Sequence, residues 1–304
     1  MNSLNELGIR AKIASKRLAL LGTEEKNNAL KAISDSLIKN KDKIIAANQI
    51  DLENGKNAGL KPTILDRLEL NEKRVADMAK GVMELISLLD PIGLVLDEVV
   101  RPNGIKIRKV SVPMGVIGII YEARPNVTSD AAAICLKAGS SVILRGGKEA
   151  INSNKATVEV MRKALKNVGL PEDLIILVTD TSRQSATDLM TLDKYLDLLI
   201  PRGGAGLIRA AVENSTVPVI ETGTGNCHAF IDESADLDTA LDIVVNGKVQ
   251  RPSVCNALES LLVHEKIAEK VLPLICDKLN DLGVKILGCE KTCSVVHFAT
   301  KDDD

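Results

Sequence analysis

The chain has 304 residues, 39 basic against 41 acidic side chains, a formal net charge of −2 and 45% hydrophobic residues. That length and apolar content favour roughly two domains with sizeable cores, and the near-neutral charge balance lacks the basic excess of a nucleic-acid binder. With no Trp, two Tyr and two Phe, aromatic platforms for stacking bases are excluded as well, and the cores must be built from Leu, Ile, Val and Ala.

The opening stretch, MNSLNELGIRAKIASKRLAL, is amphipathic and charged, unlike a secretory signal. No apolar run has the length of a membrane span. The expectation is a cytoplasmic protein in which Cys135, Cys227, Cys255, Cys276, Cys289 and Cys293 are free thiols. No C-x-x-C pair occurs, which argues against a thioredoxin-like site and a zinc ribbon. Apolar residues recur at three and four positions in Leu4, Leu7, Ala11, Ala14 and Leu18, and again in Ala29, Ile33, Leu37 and Ile38, predicting helices. Thr23, followed by two glutamates, is placed to cap the second of these. The helical pattern continues over 71–89 and ends at Pro91 and Gly93.

The period then changes. Residues 95–100 and 105–110 are β-rich runs joined by Arg101-Pro102-Asn103-Gly104, where Asn-Gly favours the left-handed torsions of a tight hairpin turn. An exposed hairpin of this kind suits oligomer contacts. From 116 onward strands and helices alternate, with strands over 116–120, 142–144, 174–178, 196–200 and 217–220, and helices over 130–138, 152–168, 182–192 and from about 203. This β-α-β alternation predicts an α/β fold with a parallel sheet covered by helices. Further helices are expected over 236–250 and 265–282, with strands near 258–263 and 284–287.

Several residues carry chemistry. Cys255 follows Gly247-Lys248-Val249-Gln250-Arg251-Pro252-Ser253-Val254, so cationic side chains lie near it in sequence; a new element after Pro252 would aim backbone N–H groups at the sulfur and favour the thiolate. A buried thiol packed as a small hydrophobe is the competing reading. Glu221, at the carboxyl end of a predicted strand and before the loop Thr222-Gly223-Thr224-Gly225, is either a general base or a loop carboxylate capping backbone N–H groups. Asn126, after Arg124-Pro125, is either a donor to a developing oxyanion or a turn residue. Two glycine-rich loops, Arg145-Gly146-Gly147-Lys148 and Arg202-Gly203-Gly204-Ala205-Gly206, suit either phosphates or ordinary turns, and Arg145 and Lys148 suit the 2′-phosphate of NADP. Neither loop matches G-x-G-x-x-G. Cys289, Cys293 and His297 have a metal-like spacing, but Gly288 and the β-branched Val295 and Val296 speak against one continuous helix, so no metal is expected.

The stretches VPMGVIGIIYEARPNVTSDAAAICLKAGSSVILRGGKEA, LIPRGGAGLI, VIETGTGNCHAFID and NGKVQRPSVCNALESLLVH together resemble the aldehyde dehydrogenase superfamily, and within it the branch that reduces an acyl phosphate. With the helical start, the resemblance covers essentially the whole chain. It implies a Rossmann-type NADP-binding domain over 1–222, bearing the N-terminal helices and an oligomerisation hairpin near 95–110, and an α/β catalytic domain over 223–304. It implies that Cys255 is the nucleophile and Glu221 its partner carboxylate, 34 positions earlier. Asn126 matches the oxyanion-stabilising asparagine, and Arg145 stands where many members have a cofactor-contacting lysine. Cofactor-binding residues would be Arg145, Lys148, Gly203, Gly204 and Gly206. Arg124 and Arg251 flank the reacting groups in sequence and suit a departing phosphate.

The reaction so implied is NADPH-dependent reduction of L-glutamyl 5-phosphate to L-glutamate 5-semialdehyde through a cysteine thioester, in proline biosynthesis, coupled to glutamate 5-kinase. The alternatives are another aldehyde dehydrogenase of the superfamily, oxidising an aldehyde with NAD, and an inactive cofactor-binding protein. Family members continue well beyond Asp304, so the chain is expected to be C-terminally shortened, with an incomplete catalytic domain and exposed core surface; the longer form would be a homo-oligomer.

Overall fold

The computed structural model describes residues 4–221, 223, 225–252 and 254–301. The chain divides into two compact units, Met1–Thr222 and Gly223–Asp304.

The first unit opens with α1 (Leu4–Leu18), α2 (Thr23–Lys39), α3 (Lys41–Asn57), α4 (Pro62–Leu68) and α5 (Glu72–Ser87). Their apolar stripes meet: Leu30, Ile33 and Leu37 of α2 are fully buried in one cluster with Val75, Met78, Ala79 and Val82 of α5. Burial of each of these Leu, Ile, Val and Met side chains contributes about 1.5–3 kcal/mol. Thr23 does not cap α2. It is the first helical residue, and Gly22 precedes it as the cap, donating its N–H to Glu25 at 2.9 Å. The Thr23 hydroxyl instead donates to Asp90 at 2.7 Å, beside the Lys26 ammonium, also at 2.7 Å. Lys26 is 2% exposed, so this ion pair fastens the start of α2 to the segment after α5 inside the protein.

The hairpin follows as β1 (Val95–Val100) and β2 (Lys106–Val110), antiparallel and exposed along both strands. Its turn differs from the Asn-Gly expectation. Only Gly104 takes positive φ, at 84°, and its N–H closes a turn on the Arg101 carbonyl at 2.9 Å, with Pro102 in the position that its fixed φ favours.

The main sheet holds β3 (Val116–Tyr121), β4 (Ser141–Arg145), β5 (Ile175–Leu177) and β6 (Leu198–Arg202), all parallel, in the order β5-β4-β3-β6. Every residue of β3 is buried. Ile117, Ile119 and Tyr121 pack in the cluster of the N-terminal helices, while Val116 and Ile120 pack with Leu189, Leu196 and Ala211 on the other face. Burial on both faces is why such strands read as unbroken apolar runs. The crossovers are α6 (Asn126–Lys137), α7 (Ile151–Asn167) and α8 (Arg183–Met190), and α9 (Ala205–Asn214) follows β6. Helix α6 begins four residues earlier than the pattern predicts. The strand expected at 217–220 reduces to a single bridge, Leu199 with Val219. Pro218 has no N–H to offer a ladder; its carbonyl accepts from Leu199 and Ile220 donates back to Leu199.

The second unit pairs β7 (Cys227–Ile231) with β8 (Leu258–Val263) in parallel through the crossover α10 (Leu237–Val249), followed by α11 (Glu265–Asp281). Strand β7 has no counterpart in the sequence reading. Asp236 caps α10 by accepting the Thr239 N–H at 2.9 Å. Ile231, Val244, Val271, Ile275 and Leu279 form this unit's core. The strand expected at 284–287 is a two-residue pairing of β9 (Leu287–Gly288) with β10 (Thr300–Lys301), either side of α12 (Glu290–Val295). Among the described residues no helix is long and apolar enough to cross a membrane.

Candidate active site

The strand order places a topological switch beside β3: successive strands β4 and β5 build outward on one side, then β6 returns to the other. Open α/β sheets bind ligands in the crevice at the carboxyl ends of the strands at such a point. Here Glu122 and Arg124 follow β3, and Arg202, Gly203 and Gly204 lie at and after the end of β6. The Glu122 carboxylate accepts the Gly204 N–H at 3.0 Å. Helix α9 starts immediately afterwards with Gly204 as its N-cap and no side-chain cap, so its first N–H groups and dipole favour an anion. A Cβ at Gly206 would meet nothing within 4 Å, whereas one at Gly203 would lie 2.6 Å from Glu122 Cδ.

The loop after β4 is built differently. Gly146 and Gly147 are buried, and a Cβ at Gly146 would sit 2.2 Å from Asn154 Nδ2 and 3.0 Å from Tyr121 Cζ. Behind it runs a buried chain in which Tyr121 Oη meets Thr128 Oγ1 at 2.7 Å and Thr128 donates to Asn154 at 2.8 Å. Burial pushes the Tyr121 phenol up, so it stays protonated. Glycine at 146 thus meets a packing demand. Arg145, half-buried, donates from Nη2 to the carbonyls of Thr181 and Ser182 at 2.8 and 2.7 Å, and so holds the segment before α8. Burial lowers its guanidinium pKa against the pull of Asp180 and Glu149. Lys148 is exposed in a short 3-10 turn.

Asn126 is the first residue of α6, and its amide does not serve the turn after Pro125. It donates from Nδ2 to Asp130 Oδ2 at 3.0 Å, one helical turn along. Burial raises the Asp130 carboxyl pKa, opposed by hydrogen bonds from Asn126 and Ser129 and by the charge of Arg202. Arg124 is half-buried, its N–H donating to the Glu122 carbonyl at 2.7 Å. Glu221 is exposed at the end of the first unit, just after the Val219 bridge.

In the second unit Cys255 is exposed, which removes the reading of a thiol packed in the core. Among the described residues no helix begins between Pro252 and β8. Turns closed by Val254 onto Arg251 and by Ala257 onto Val254, both at 3.3 Å, carry Cys255 between α10 and β8. Ser253 lies outside the described residues. The Cys255 carbonyl accepts from the Cys227 thiol at 3.5 Å, and a Cβ on Gly225 would approach it to 2.9 Å, so the 225–227 segment braces the loop. Lys248 donates to the Leu258 carbonyl at 3.0 Å, and Arg251 is exposed. The other thiols contrast with Cys255: burial pushes Cys135 up to about 12 and raises Cys276. Cys289, exposed at the start of α12, is held below the ordinary thiol value by the Thr292 hydroxyl and backbone. Helix α12 ends at Val295, before His297. Among the described residues no cluster of three or more His, Cys, Asp or Glu could hold a metal.

The candidate residues divide between the units: Asn126, Arg124, Arg145, Lys148, the Gly203–206 loop and Glu221 belong to the first, Cys255 and Arg251 to the second. Sequence reasoning missed Glu122, Asp130, Arg202 and Cys227. The i, i+4 relation of Asn126 and Asp130 arises only because α6 starts at Asn126, four residues before the expected helix.

The aldehyde dehydrogenase family profile matches residues 5–292. Gamma-glutamyl phosphate reductase of Carboxydothermus hydrogenoformans is 57% identical over 292 residues, covering 96% of this chain and 70% of that protein. That of Clostridium perfringens is 55% identical over 305 residues, covering 99% and 74%. Among solved structures, gamma-glutamyl phosphate reductase of Thermotoga maritima matches with a TM-score of 0.92 at 46% identity, over 100% of this chain and 73% of its own. The Saccharomyces cerevisiae enzyme matches with a TM-score of 0.68 at 29% identity, over 97% and 74%. The chain belongs to the aldehyde dehydrogenase family and, within it, to the gamma-glutamyl phosphate reductases.

Proposed function

We propose that the chain reduces L-glutamyl 5-phosphate to L-glutamate 5-semialdehyde with release of phosphate, using NADPH, as a cytoplasmic enzyme of proline biosynthesis. The observation that carries this reading is Cys255, an exposed thiol on a braced loop in a chain whose relatives are named for reducing this acyl phosphate. As thiolate, Cys255 attacks the acyl carbon; the sulfur–carbon bond forms, the carbon–oxygen bond to phosphate breaks, and phosphate leaves with that electron pair. Asn126 Nδ2 and the Cys255 N–H donate to the oxyanion of the tetrahedral intermediate. Arg124 and Arg251 bind the departing phosphate by charge-assisted hydrogen bonds. The glutamyl group remains on sulfur as a thioester. In this direction no water attacks it, so Glu221 has less to do than it would as the general base of aldehyde oxidation.

The second glycine loop fits a dinucleotide: Gly206 leaves open space at the uncapped start of α9, where backbone N–H groups suit a diphosphate. Gly203, Gly204 and Gly206 would hold that group, and Arg145 and Lys148 the 2′-phosphate. When bound, NADPH supplies the hydride that takes the acyl carbon to the aldehyde level. Glu122 is exposed, so its flexible stem can release the Gly204 N–H to an anion. The hairpin β1–β2, exposing Leu96, Val99, Val100 and Ile107, is proposed as a homo-oligomer contact, and glutamate 5-kinase as the functional partner supplying the acyl phosphate.

The test is phosphate-dependent reduction of NADP by glutamate 5-semialdehyde, the reverse reaction. Cys255→Ser should abolish it while NADPH binding persists. Aldehyde oxidation that ignores phosphate would move the chain to another activity of the family, and a near-normal rate in the Ser variant would remove Cys255 as nucleophile.

A further inference from the structure

We infer that Asp130 is a positioning residue for the oxyanion donor: by accepting one Nδ2–H of Asn126, it fixes where the other N–H of that amide points. The inference rests on the reading of Asn126 given above. Asn126 is the first residue of α6. Asp130 lies one turn further along, and side chains at i and i+4 meet on a helix face. The contact is Nδ2 to Oδ2 at 3.0 Å. Ser129 Oγ, which donates to the Asn126 carbonyl at 3.0 Å, also lies 3.5 Å from the other Asp130 oxygen.

The choice of a carboxylate matters. An Asn side chain has a donor end and an acceptor end of nearly the same shape. Turned over, it would present Oδ1 to the developing oxyanion and repel it. An ionised carboxylate only accepts, so it takes Nδ2 and rejects the turned-over amide. The amide is planar, so binding one N–H sets the direction of the second. Burial raises the Asp130 carboxyl pKa, and the hydrogen bonds from Asn126 and Ser129 and the charge of Arg202, from β6, oppose that rise in favour of the acceptor-only form. The platform is rigid as well: Val127, Thr128, Ser129, Ala132 and Ala133 of α6 are all buried.

The experiment compares Asp130→Ala, Asp130→Asn, Asn126→Ala and the Asp130→Ala/Asn126→Ala double variant, each first shown to be folded by thermal melting. Steady-state kinetics are read with L-glutamyl 5-phosphate and NADPH, and the Asn126 side-chain amide is read by NMR after selective ¹⁵N-asparagine labelling. Asp130→Ala should lower kcat about tenfold or more, since a misaimed catalytic group costs on that scale, while KM for NADPH stays unchanged. Asp130→Asn, which keeps an acceptor but loses the selectivity, should fall between. The double variant should be no slower than Asn126→Ala alone. In the spectrum, the two Asn126 amide protons should be widely split and should collapse together in Asp130→Ala. Losses that multiply in the double variant, or an amide pair unchanged by Asp130→Ala, would overturn the inference. A slow Asn126→Ala beside a normal Asp130→Ala overturns it and spares the oxyanion reading; a normal Asn126→Ala overturns both. The amide signals need no turnover, and Asp130→Asn carries the same comparison if Asp130→Ala does not fold.

Discussion

Replacing Gly206 with alanine separates the two uses of a glycine-rich loop. The residue is the second of α9, and a Cβ there meets nothing within 4 Å. For folding, the change is favourable, because glycine in a helix costs about 0.5–1 kcal/mol relative to alanine. A gain of that size corresponds to a rise of roughly 2 °C in the melting temperature of a domain of about 200 residues. For a cofactor, the change is unfavourable. If the open space beside α9 admits a dinucleotide diphosphate, a methyl group fills it and pushes the phosphates off the helix N–H groups. Losing part of those contacts should raise the NADPH Kd about tenfold, equivalent to ~1.4 kcal/mol. Differential scanning fluorimetry without ligand gives the first quantity, and titration of NADPH fluorescence gives the second. A raised melting temperature with an unchanged Kd would refute the assignment and leave the loop as an ordinary helix start. A lowered melting temperature would refute the open space itself.

Other substitutions test neighbouring points. Gly146→Ala should behave in the opposite way and destabilise by about 1–3 kcal/mol through overpacking, because its methyl would meet Asn154 and the Tyr121 ring; chemical denaturation measures it. Arg145→Ala should loosen the segment before α8 and weaken NADPH more than NADH, and equal weakening would remove Arg145 from 2′-phosphate recognition. Asp90→Ala should cost about 3–5 kcal/mol by stranding the buried Lys26 ammonium. Burial acts to raise Asp90, but Lys26, Thr23 and the Ile92 N–H hold it below the ordinary 3.8, so its contribution is full above that pH and is lost as the pH falls through the lowered value. The acid limb of the stability profile should therefore flatten in the Ala variant. Iodoacetamide should modify Cys255 and Cys289 well before Cys135 and Cys276, with inactivation following Cys255 alone; peptide mass spectrometry decides.

What the sequence reveals about this protein follows from what a linear pattern records, which is burial. The run at 116–121 is apolar at every position because both faces of β3 are covered, and the helices before residue 90 repeat at three and four because one face of each is buried. Those elements are legible for that reason. The strand at 217–220 shares the same apolar content but fails as a strand, because Pro218 has no N–H to pair and hydropathy does not record hydrogen bonds. The two glycine loops look alike in sequence. Only the neighbours at Gly146, a ring and an amide, and the empty space at Gly206 distinguish a packing loop from an open one. Cys255 shows the same limit: local chemistry allows a buried thiol, and exposure is decided by two turns that have no hydrophobic signature. The Asn126–Asp130 pair is hidden for a different reason. A helix taken to start at Asp130 leaves Asn126 in a turn, and the i, i+4 relation exists only once the helix starts at Asn126. Apolar periodicity could not place that start, because the first turn of α6 buries Thr128 and Ser129 as well as Val127. Polar side chains buried at a helix start break the periodic signal at the point where the site's donor is set.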